Sequence, residues 1–139
     1  MKEQNFKNHA RYVPLFHFVM LGIVLAILVL SVINLFSDGN LQSVMFVLIA
    51  LASLIGFFMM RNFPLAVQDR AIRAEENLRY YSLTGKLLDT RLTIQQIIAL
   101  RFAPDDELIG LAERAVNENL GNRAIKQAIK NWKADHHRA

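Results

Sequence analysis

The chain begins with two long apolar runs that contain no charged residue. No Asp, Glu, Lys or Arg occurs at positions 12–37 or 39–60, and Asp38 alone separates the two runs. Each run is long enough to cross a bilayer, because about 20 helical residues suffice. The segment SDGN between them favours a tight reversal. The pattern therefore predicts a transmembrane hairpin with helices at 12–36 and 41–60 and an external turn at 37–40.

The first run is too long for the apolar core of a cleaved signal peptide, which measures roughly 7 to 15 residues. Its length indicates a retained anchor. Basic residues accumulate on the cytoplasmic flanks of membrane spans, and here they lie beyond the two spans but not in the turn. They are Lys2, Lys7 and Arg11 before the first span and Arg61, Arg70 and Arg73 after the second. We expect both termini in the cytoplasm, with cytoplasmic segments at 1–11 and 61–139.

Two features inside the spans each allow two interpretations. His17 is the only titratable residue within the runs besides Tyr12. It lies near the inner boundary, where an aromatic interfacial anchor is the ordinary role and a proton relay the alternative. Small residues at helical spacing, Gly22 with Ala26 and Ala52 with Gly56, fit either packing within the hairpin or self-association.

The residues after the second span have the pattern of an amphipathic helix. Pro64 is expected to interrupt the helix that continues from the span, or to open a new one, and Gly85 is expected to end it. The apolar positions alternate at spacings of four and three over about two heptads, as in a short coiled-coil seam. They are Val67, Ala71, Ala74, Leu78 and Tyr81.

Three further helices are predicted in the tail. Thr93 and Gln96 have the spacing of a capping box. Pro104 suits the first position of the next helix, while Gly121 and Asn122 supply a stop and a new cap for the last. The predicted fold class is an all-α membrane protein, in which the transmembrane hairpin is followed by a cytoplasmic bundle of about three to four helices.

Three consecutive acids at 105–107 raise the question of a metal or acid–base site. Carboxylates in the first turn of a helix are stabilised by unpaired amide hydrogens and by the helix dipole. A metal site needs converging ligands, and no histidine occurs between His17 and His136. We therefore interpret the triplet as a helix start.

The last predicted helix has an apolar side that continues to Trp132 and a basic side opposite. One interpretation pairs the basic side with the acidic helix before it. The other places it on anionic lipid headgroups, where each basic residue near the surface adds about 1 kcal/mol. The candidate lipid contacts are Arg123, Lys126, Lys130, Lys133 and Trp132.

Composition narrows the expected partners and cofactors. The chain has no cysteine, which excludes disulfides, thiolate catalysis and cysteine-ligated metals. From residue 61 onward, 13 basic residues stand against 10 acidic ones, a weak footprint for nucleic-acid binding. We expect no cofactor, no metal and no nucleic-acid partner. The expected partners are the lipid bilayer with its anionic headgroups, and another copy of the chain or another membrane protein.

These features favour a non-enzymatic anchor or interaction module whose tail binds a protein partner or itself. Candidate contacts are Arg70, Arg73, Arg79 and Tyr80. An anionic-lipid sensor, or an accessory subunit of a membrane complex, is the alternative. A membrane-bound enzyme of unknown class is a further alternative, although no polar cluster has the spacing of nucleophile, base and orienting group.

Four segments spread over the chain resemble one protein family. They are QNFKNHARYVPLFH, VQDRAIRAEENLR, LTIQQIIALRFAPDDEL and IKQAIKNWKADHHR, in this order. Together they resemble a bacterial family of uncharacterised small two-span membrane proteins, the domain of unknown function 6526. The resemblance implies a bacterial inner-membrane protein with a helical cytoplasmic tail. It implies no activity, ligand or catalytic residue.

Overall fold

A computed structural model describes residues 5, 6, 8 and 13–135, and over these residues the protein is all-helical, as predicted. Most of the predicted segment at 1–11 lies outside the described residues. The chain divides into two compact units, residues 11–64 and residues 1–10 with 65–139, called here the hairpin and the bundle. The helices are α1 Leu21–Asp38, preceded by the π-helical turn Leu15–Met20, α2 Leu41–Thr84, α3 Ile94–Leu100, α4 Asp105–Asn117 and α5 Asn122–Ala128.

The hairpin reverses direction through two residues. Gly39 adopts a left-handed conformation with φ 57° and donates its N–H to the carbonyl of Leu35 at 3.0 Å. Asn40 then caps α2, because its Oδ1 accepts the Ser43 N–H at 2.9 Å. The turn predicted at 37–40 is therefore reduced to Gly39 and Asn40, since α1 extends to Asp38.

One side of α2 is buried within the hairpin, and its two fully buried side chains are small. Ser43 and Ala50 of α2 are fully buried, and Phe57 is nearly so. These three residues are seven positions apart, which keeps them on one side of a helix packed against another. Phe57 stacks on Phe16, with ring centroids 4.5 Å apart, so the start of the first helical segment meets α2 toward the end of the hairpin.

The predicted small-residue pairs do not form this contact. Gly22, Ala26 and Ala52 are exposed, and Gly56 is half-buried. A Cβ added at Gly22 or Gly56 meets no heavy atom within 4 Å. Packing within the hairpin therefore uses other residues, and self-association stays a prediction for the two pairs.

In the bundle, the last part of α2 and helices α3 to α5 enclose one apolar core. Its most deeply buried large side chains are Leu100, Phe102, Leu108 and Ile125, each with no exposed surface. They come from α3, α4, α5 and the turn after α3. Burial of this apolar surface is the main term that stabilises the bundle.

The predicted helix boundaries are confirmed in part. Gly85, with φ 71°, ends α2 and donates to the carbonyl of Tyr81 at 2.8 Å, as expected. Thr93 and Gln96 form the predicted capping box. The prediction that Pro64 interrupts the helix is wrong, because α2 continues through it. Proline lacks one backbone hydrogen bond and its ring crowds the preceding turn, but both sides of α2 stay helical here.

The starts of α4 and α5 each differ from the prediction by one position. Pro104 is the extended residue that precedes α4, and Gly121 occupies the same position before α5. Asn122 is the first residue of α5, and its side chain donates to the carbonyl of Gln95 at 2.8 Å instead of capping the helix. Helix α5 ends at Ala128, four residues before Trp132.

Candidate interaction surface

The part of α2 that belongs to the bundle, residues 65–84, packs one face against the rest of the unit. Ile72 and Glu76 are buried on this face, and Tyr80 packs against the core cluster. Positions 72, 76 and 80 follow one another at a spacing of four, so they lie on one side of a helix. This face is occupied by contacts within the bundle.

Arg79 fixes the same face to the start of α4. Its side chain is 12% exposed and forms an ion pair with Glu76 at 3.1 Å. The guanidinium also donates to Asp105 Oδ1 at 2.6 Å and to the carbonyl oxygen of Ala103 at 2.8 Å. The arginine fork is suited to several acceptors at once, which explains why a charged group is stable in this half-buried position.

The opposite face of residues 65–84 carries the apolar seam predicted from the sequence, and all of it is exposed. The exposed fractions of its larger members are 66% for Val67, 69% for Leu78 and 52% for Tyr81. Ala71 and Ala74 are exposed as well. A row of exposed apolar side chains on one face of a helix that also carries charged residues is a typical interaction surface. These five residues are called the exposed seam below.

Charged residues of both signs flank the exposed seam. Arg70, Arg73 and Glu75 are all exposed. Among the residues that the structure describes, none of the three takes part in an ion pair. The heads of Arg70 and Glu75 are therefore available to a partner that covers the seam, whereas Arg73 lies further round the helix.

The four predicted contact residues thus separate into two pairs. Arg70 and Arg73 are exposed beside the seam. Arg79 and Tyr80 lie on the inner face, where they hold the bundle together. Periodicity alone does not distinguish the two faces, because the acceptors of Arg79 come from residues 24 and 26 positions further along the chain.

The predicted lipid contacts at the C-terminal end are also divided. Trp132 is half-buried and lies against Phe102, with ring centroids 5.1 Å apart. Lys126 is half-buried and places its Nζ 5.5 Å from the centroid of the same ring. Arg123, Lys130 and Lys133 are exposed, but only Arg123 belongs to α5. The predicted continuous basic face of one helix is therefore absent from the described residues.

Glu107 explains why the chain leaves the helix after Ala128. Its carboxylate accepts the backbone N–H groups of Lys130 and Asn131, both at 2.9 Å. Further along, the N–H of Lys133 donates to the carbonyl of Phe102 at 2.8 Å. These contacts satisfy backbone donors that an extended α5 would have used internally.

The acidic triplet is the helix start that the sequence indicated, since all three acids lie in the first turn of α4. Two of them also make contacts that the sequence did not indicate: Asp105 accepts from Arg79, and Glu107 accepts from the C-terminal segment. Among the described residues, no group of three or more metal-ligating side chains converges. The triplet therefore acts in folding of the bundle.

Gln96 is a further structural residue whose full role sequence reasoning missed. Besides its part in the capping box, its buried Nε2 donates to the carbonyl oxygens of Leu120 at 2.9 Å and Ala115 at 3.3 Å. The Ala115 carbonyl also accepts the backbone N–H of Leu120 at 3.1 Å, so Gln96 adds a second donor at the end of α4, where a helix lacks some internal donors. The only sequence signal was the capping spacing to Thr93.

A polar groove in the bundle is the nearest approach to a ligand site. It encloses about 350 Å³. Arg101 lines it and pairs with Asp135 at 3.0 Å. The groove contains charges of both signs but no histidine or hydroxyl nucleophile, so it lacks the set of groups that acid–base or covalent catalysis needs. Its polar lining consists of Gln68, Glu75, Glu76, Arg101, Lys133 and Asp135.

The loop after α2 carries the most strongly shifted carboxyl group. The guanidinium of Arg91 donates to both oxygens of Asp89, and its Nη2 lies 2.7 Å from Oδ2. This bidentate contact lowers the pKa of Asp89 to about 2. Both groups are on the surface, so the shift reflects a local charge-assisted pair and not a buried catalytic carboxylate.

On the hairpin, a long apolar groove of about 710 Å³ runs between the two helices and includes Phe16, Val24 and Phe57 in its lining. Close to its end, His17 places Nδ1 3.0 Å from the carbonyl oxygen of Val13. His17 is also edge-on to the ring of Phe16. The interfacial anchor and the proton relay both remain predictions for His17.

Among the comparisons with known proteins, a family model gives a match. The model of the family of unknown function DUF6526 matches residues 1–139, the full length of the chain. No curated protein and no solved structure matches. The resemblance noted from the four sequence segments is therefore confirmed, and the chain belongs to the DUF6526 family.

Proposed function

We propose that the protein is a non-enzymatic, membrane-anchored interaction module. The hairpin is the anchor in the bacterial inner membrane, and both termini are cytoplasmic. The bundle presents the exposed seam to a protein partner. The seam is the observation that carries this proposal, because five apolar residues at regular helical spacing are uncovered on residues 65–84, whose other face packs against the bundle.

The surface of the hairpin supports the membrane anchor. Only 11% and 17% of its two most apolar helical windows are buried, whereas a core helix of a soluble protein is mostly buried. Large side chains such as Phe36 and Leu41 are 85% and 78% exposed. An apolar surface of this extent is stable only in apolar surroundings, for which a bilayer is the natural choice.

The polar clusters of the bundle support a binding role over an enzymatic one. The clusters built around Arg79, Arg101 and Glu107 join separate helices and loops to one another. Groups used in this way stabilise the fold, and their carboxylates and guanidinium groups are already paired. A catalytic site would instead present a nucleophile or a base to an open cleft.

The proposal is tested by placing a photo-crosslinking amino acid at Leu78 in the full chain inside cells. Glu113 is the matched control, because it is also exposed but lies on α4, away from the seam. The proposal predicts that Leu78 yields a defined crosslinked protein product after irradiation and that Glu113 does not. Equal labelling from both positions, or none from Leu78, would contradict it.

Contact with anionic lipid is a second candidate function, favoured by the exposed Arg123, Lys130 and Lys133. Trp132 is the only tryptophan in the chain and lies between two of these residues, so it reports on lipid contact directly. In vesicles with brominated anionic lipid, this candidate predicts quenching of Trp132 fluorescence that decreases as salt is added. Equal fluorescence in brominated and plain vesicles would rule it out.

A further inference from the structure

We propose that the partner of the exposed seam is a second copy of the same chain, and that two copies pair as a short parallel coiled coil. The proposal rests on the membrane-anchored interaction module described above and names its partner. Two features of residues 65–84 carry it: the heptad positions of the apolar side chains and the charges beside them.

The spacing of the exposed seam matches the central positions of a coiled coil. Val67, Ala74 and Tyr81 take position d of successive heptads, and Ala71 and Leu78 take position a. The residues that the bundle buries, Ile72 and Glu76, fall at positions b and f, on the other side of the helix. The bundle therefore leaves the a and d positions accessible to another helix.

The flanking charges are complementary to those of an identical helix. Arg70 falls at position g, and Glu75 falls five residues later at position e. In a parallel pair, position g of one helix meets position e of the next heptad on the other helix. Arg70 of each copy therefore reaches Glu75 of the other, which gives two ion pairs related by two-fold symmetry.

The same charges disfavour the antiparallel arrangement. There, position e of one helix lies against position e of the other, so two Glu75 carboxylates approach each other when the helices cross near Ala74. The seam also needs no second protein to supply a missing charge. It carries both signs itself, as an isologous interface must.

The seam is short, so the stability of the pairing depends on the surroundings of the two chains. Coiled coils are reliably formed from about three to four heptads, and this seam covers about two. Two alanines among its five residues also limit the apolar area that it buries. Anchoring both copies in one bilayer raises their effective concentration and compensates for the short seam. We therefore expect dimers in membranes that dissociate on dilution into detergent.

The test uses the natural absence of cysteine from the full chain. Ala74→Cys places a thiol at position d, and Arg73→Cys places one at the adjacent exposed position c. Thiols at position d face each other, whereas those at position c are too far apart for a disulfide. Mild oxidation in native membranes is expected to convert Ala74→Cys, but not Arg73→Cys, mainly into a species of twice the mass.

The direction of the two helices is read from single cysteines at the ends of the seam. In a parallel pair, Val67→Cys crosslinks to Val67→Cys of the other copy, and Tyr81→Cys crosslinks to Tyr81→Cys. In an antiparallel pair, neither variant crosslinks alone, and a disulfide forms only when the two variants are mixed. The second pattern would overturn the proposed arrangement.

Charge reversal tests the Arg70–Glu75 pairs. Arg70→Glu is expected to weaken dimerisation in proteoliposomes roughly tenfold, because two attractive pairs become repulsive. The double change Arg70→Glu with Glu75→Arg restores the complementarity and should restore the affinity. Arg73→Glu, at the neighbouring outer position, is the matched control and should leave it unchanged. Failure of the double change to restore pairing would contradict this interface.

The outcomes separate this inference from the proposed function. A crosslink from Ala74→Cys to a copy of itself supports both. A candidate partner that carries its own cysteine is tested in the same way. If Ala74→Cys crosslinks only to that different protein, self-pairing is overturned but the proposed interaction module is not. If neither forms while Leu78 still yields its photo-crosslinked product, self-pairing is again overturned. Loss of all of these products contradicts both proposals.

Discussion

The hairpin and the bundle distribute their side chains in opposite ways. The hairpin buries small residues such as Ser43 and Ala50 completely, while Phe36 and Leu48 are 85% and 60% exposed. The bundle buries large residues such as Phe102 and Leu108 completely. Its surface carries nearly all of the charges between residues 61 and 135.

The proposed membrane anchor accounts for this contrast, because water and lipid favour different packing. In water, a fold gains stability by burying its large apolar side chains. In lipid, the surrounding chains are as apolar as leucine, so close packing of small residues holds helices together. In the exposed seam, apolar side chains of the bundle lie uncovered at regular helical spacing, which is a departure from the pattern expected in water. That departure is why we assign the interaction to the seam.

The largest predicted effect comes from one substitution made at an exposed leucine in each of the two regions. Leu48→Asp places a carboxylate near the middle of the second apolar run, where it should weaken membrane insertion by about 3 kcal/mol. Leu78→Asp should leave insertion unchanged and reduce only self-pairing. The fraction of each variant that is glycosylated at an engineered site across the membrane measures insertion. Equal insertion of the two variants would contradict the predicted difference between the hairpin and the bundle.

Within the bundle, the next largest effect is expected from Arg79→Ala. It leaves the buried carboxylate of Glu76 without its ion-pair partner and frees the carbonyl of Ala103. We expect a loss of about 2–3 kcal/mol in the free energy of unfolding. Arg73→Ala, on the exposed side of the same helix, is the control and should change it by less than about 0.5 kcal/mol. Amide exchange of the bundle in nanodiscs measures both.

In the hairpin, the predicted effect depends on which small residue is enlarged. Ala50→Leu inserts a bulky group where no surface is exposed and should weaken helix packing by about 1–2 kcal/mol. Gly22→Leu adds the same bulk to open space and should be tolerated. Energy transfer between dyes on the two helices, followed through a denaturing detergent titration, measures the difference. A stronger effect at Gly22 would show that the helices pack through the other face.

The smallest effect concerns the surface loop of the bundle. Because Arg91 lowers the pKa of Asp89 to about 2, their pairing stabilises the folded state above the ordinary carboxyl range. This stabilisation is lost as the pH falls toward that value. In Arg91→Ala, the NMR titration of Asp89 should return to the ordinary range, while the titration of Glu118, paired with Arg114, stays lowered. No change at Asp89 would contradict the assigned cause.

Local signals in the sequence predicted most of the helices correctly. The absence of charge from two long runs, the left-handed glycine after Thr84 and the capping box at Thr93 each depend on residues within a few positions of one another. Such signals remain valid whatever the tertiary contacts are. The seam belongs to the same class, because its period and its flanking charges lie on one helix.

Contacts between distant residues account for what the sequence did not reveal. The apolar and basic periods continue past Ala128, yet Glu107 binds the backbone 23 and 24 residues later and ends α5 there. Arg79 was predicted as a surface contact for the same reason, since its acceptor Asp105 lies 26 positions away. Periodicity identifies a face but does not say what covers it.

Whether the hairpin lies in lipid is tested most directly by fractionating cells that express the intact chain. Membranes are washed with alkaline carbonate and then treated with detergent. The anchor predicts that the chain stays in the membrane pellet after carbonate and is released only by detergent. Recovery of intact chain in the carbonate supernatant would contradict it, because the apolar outer surface of the hairpin would then be stable in water.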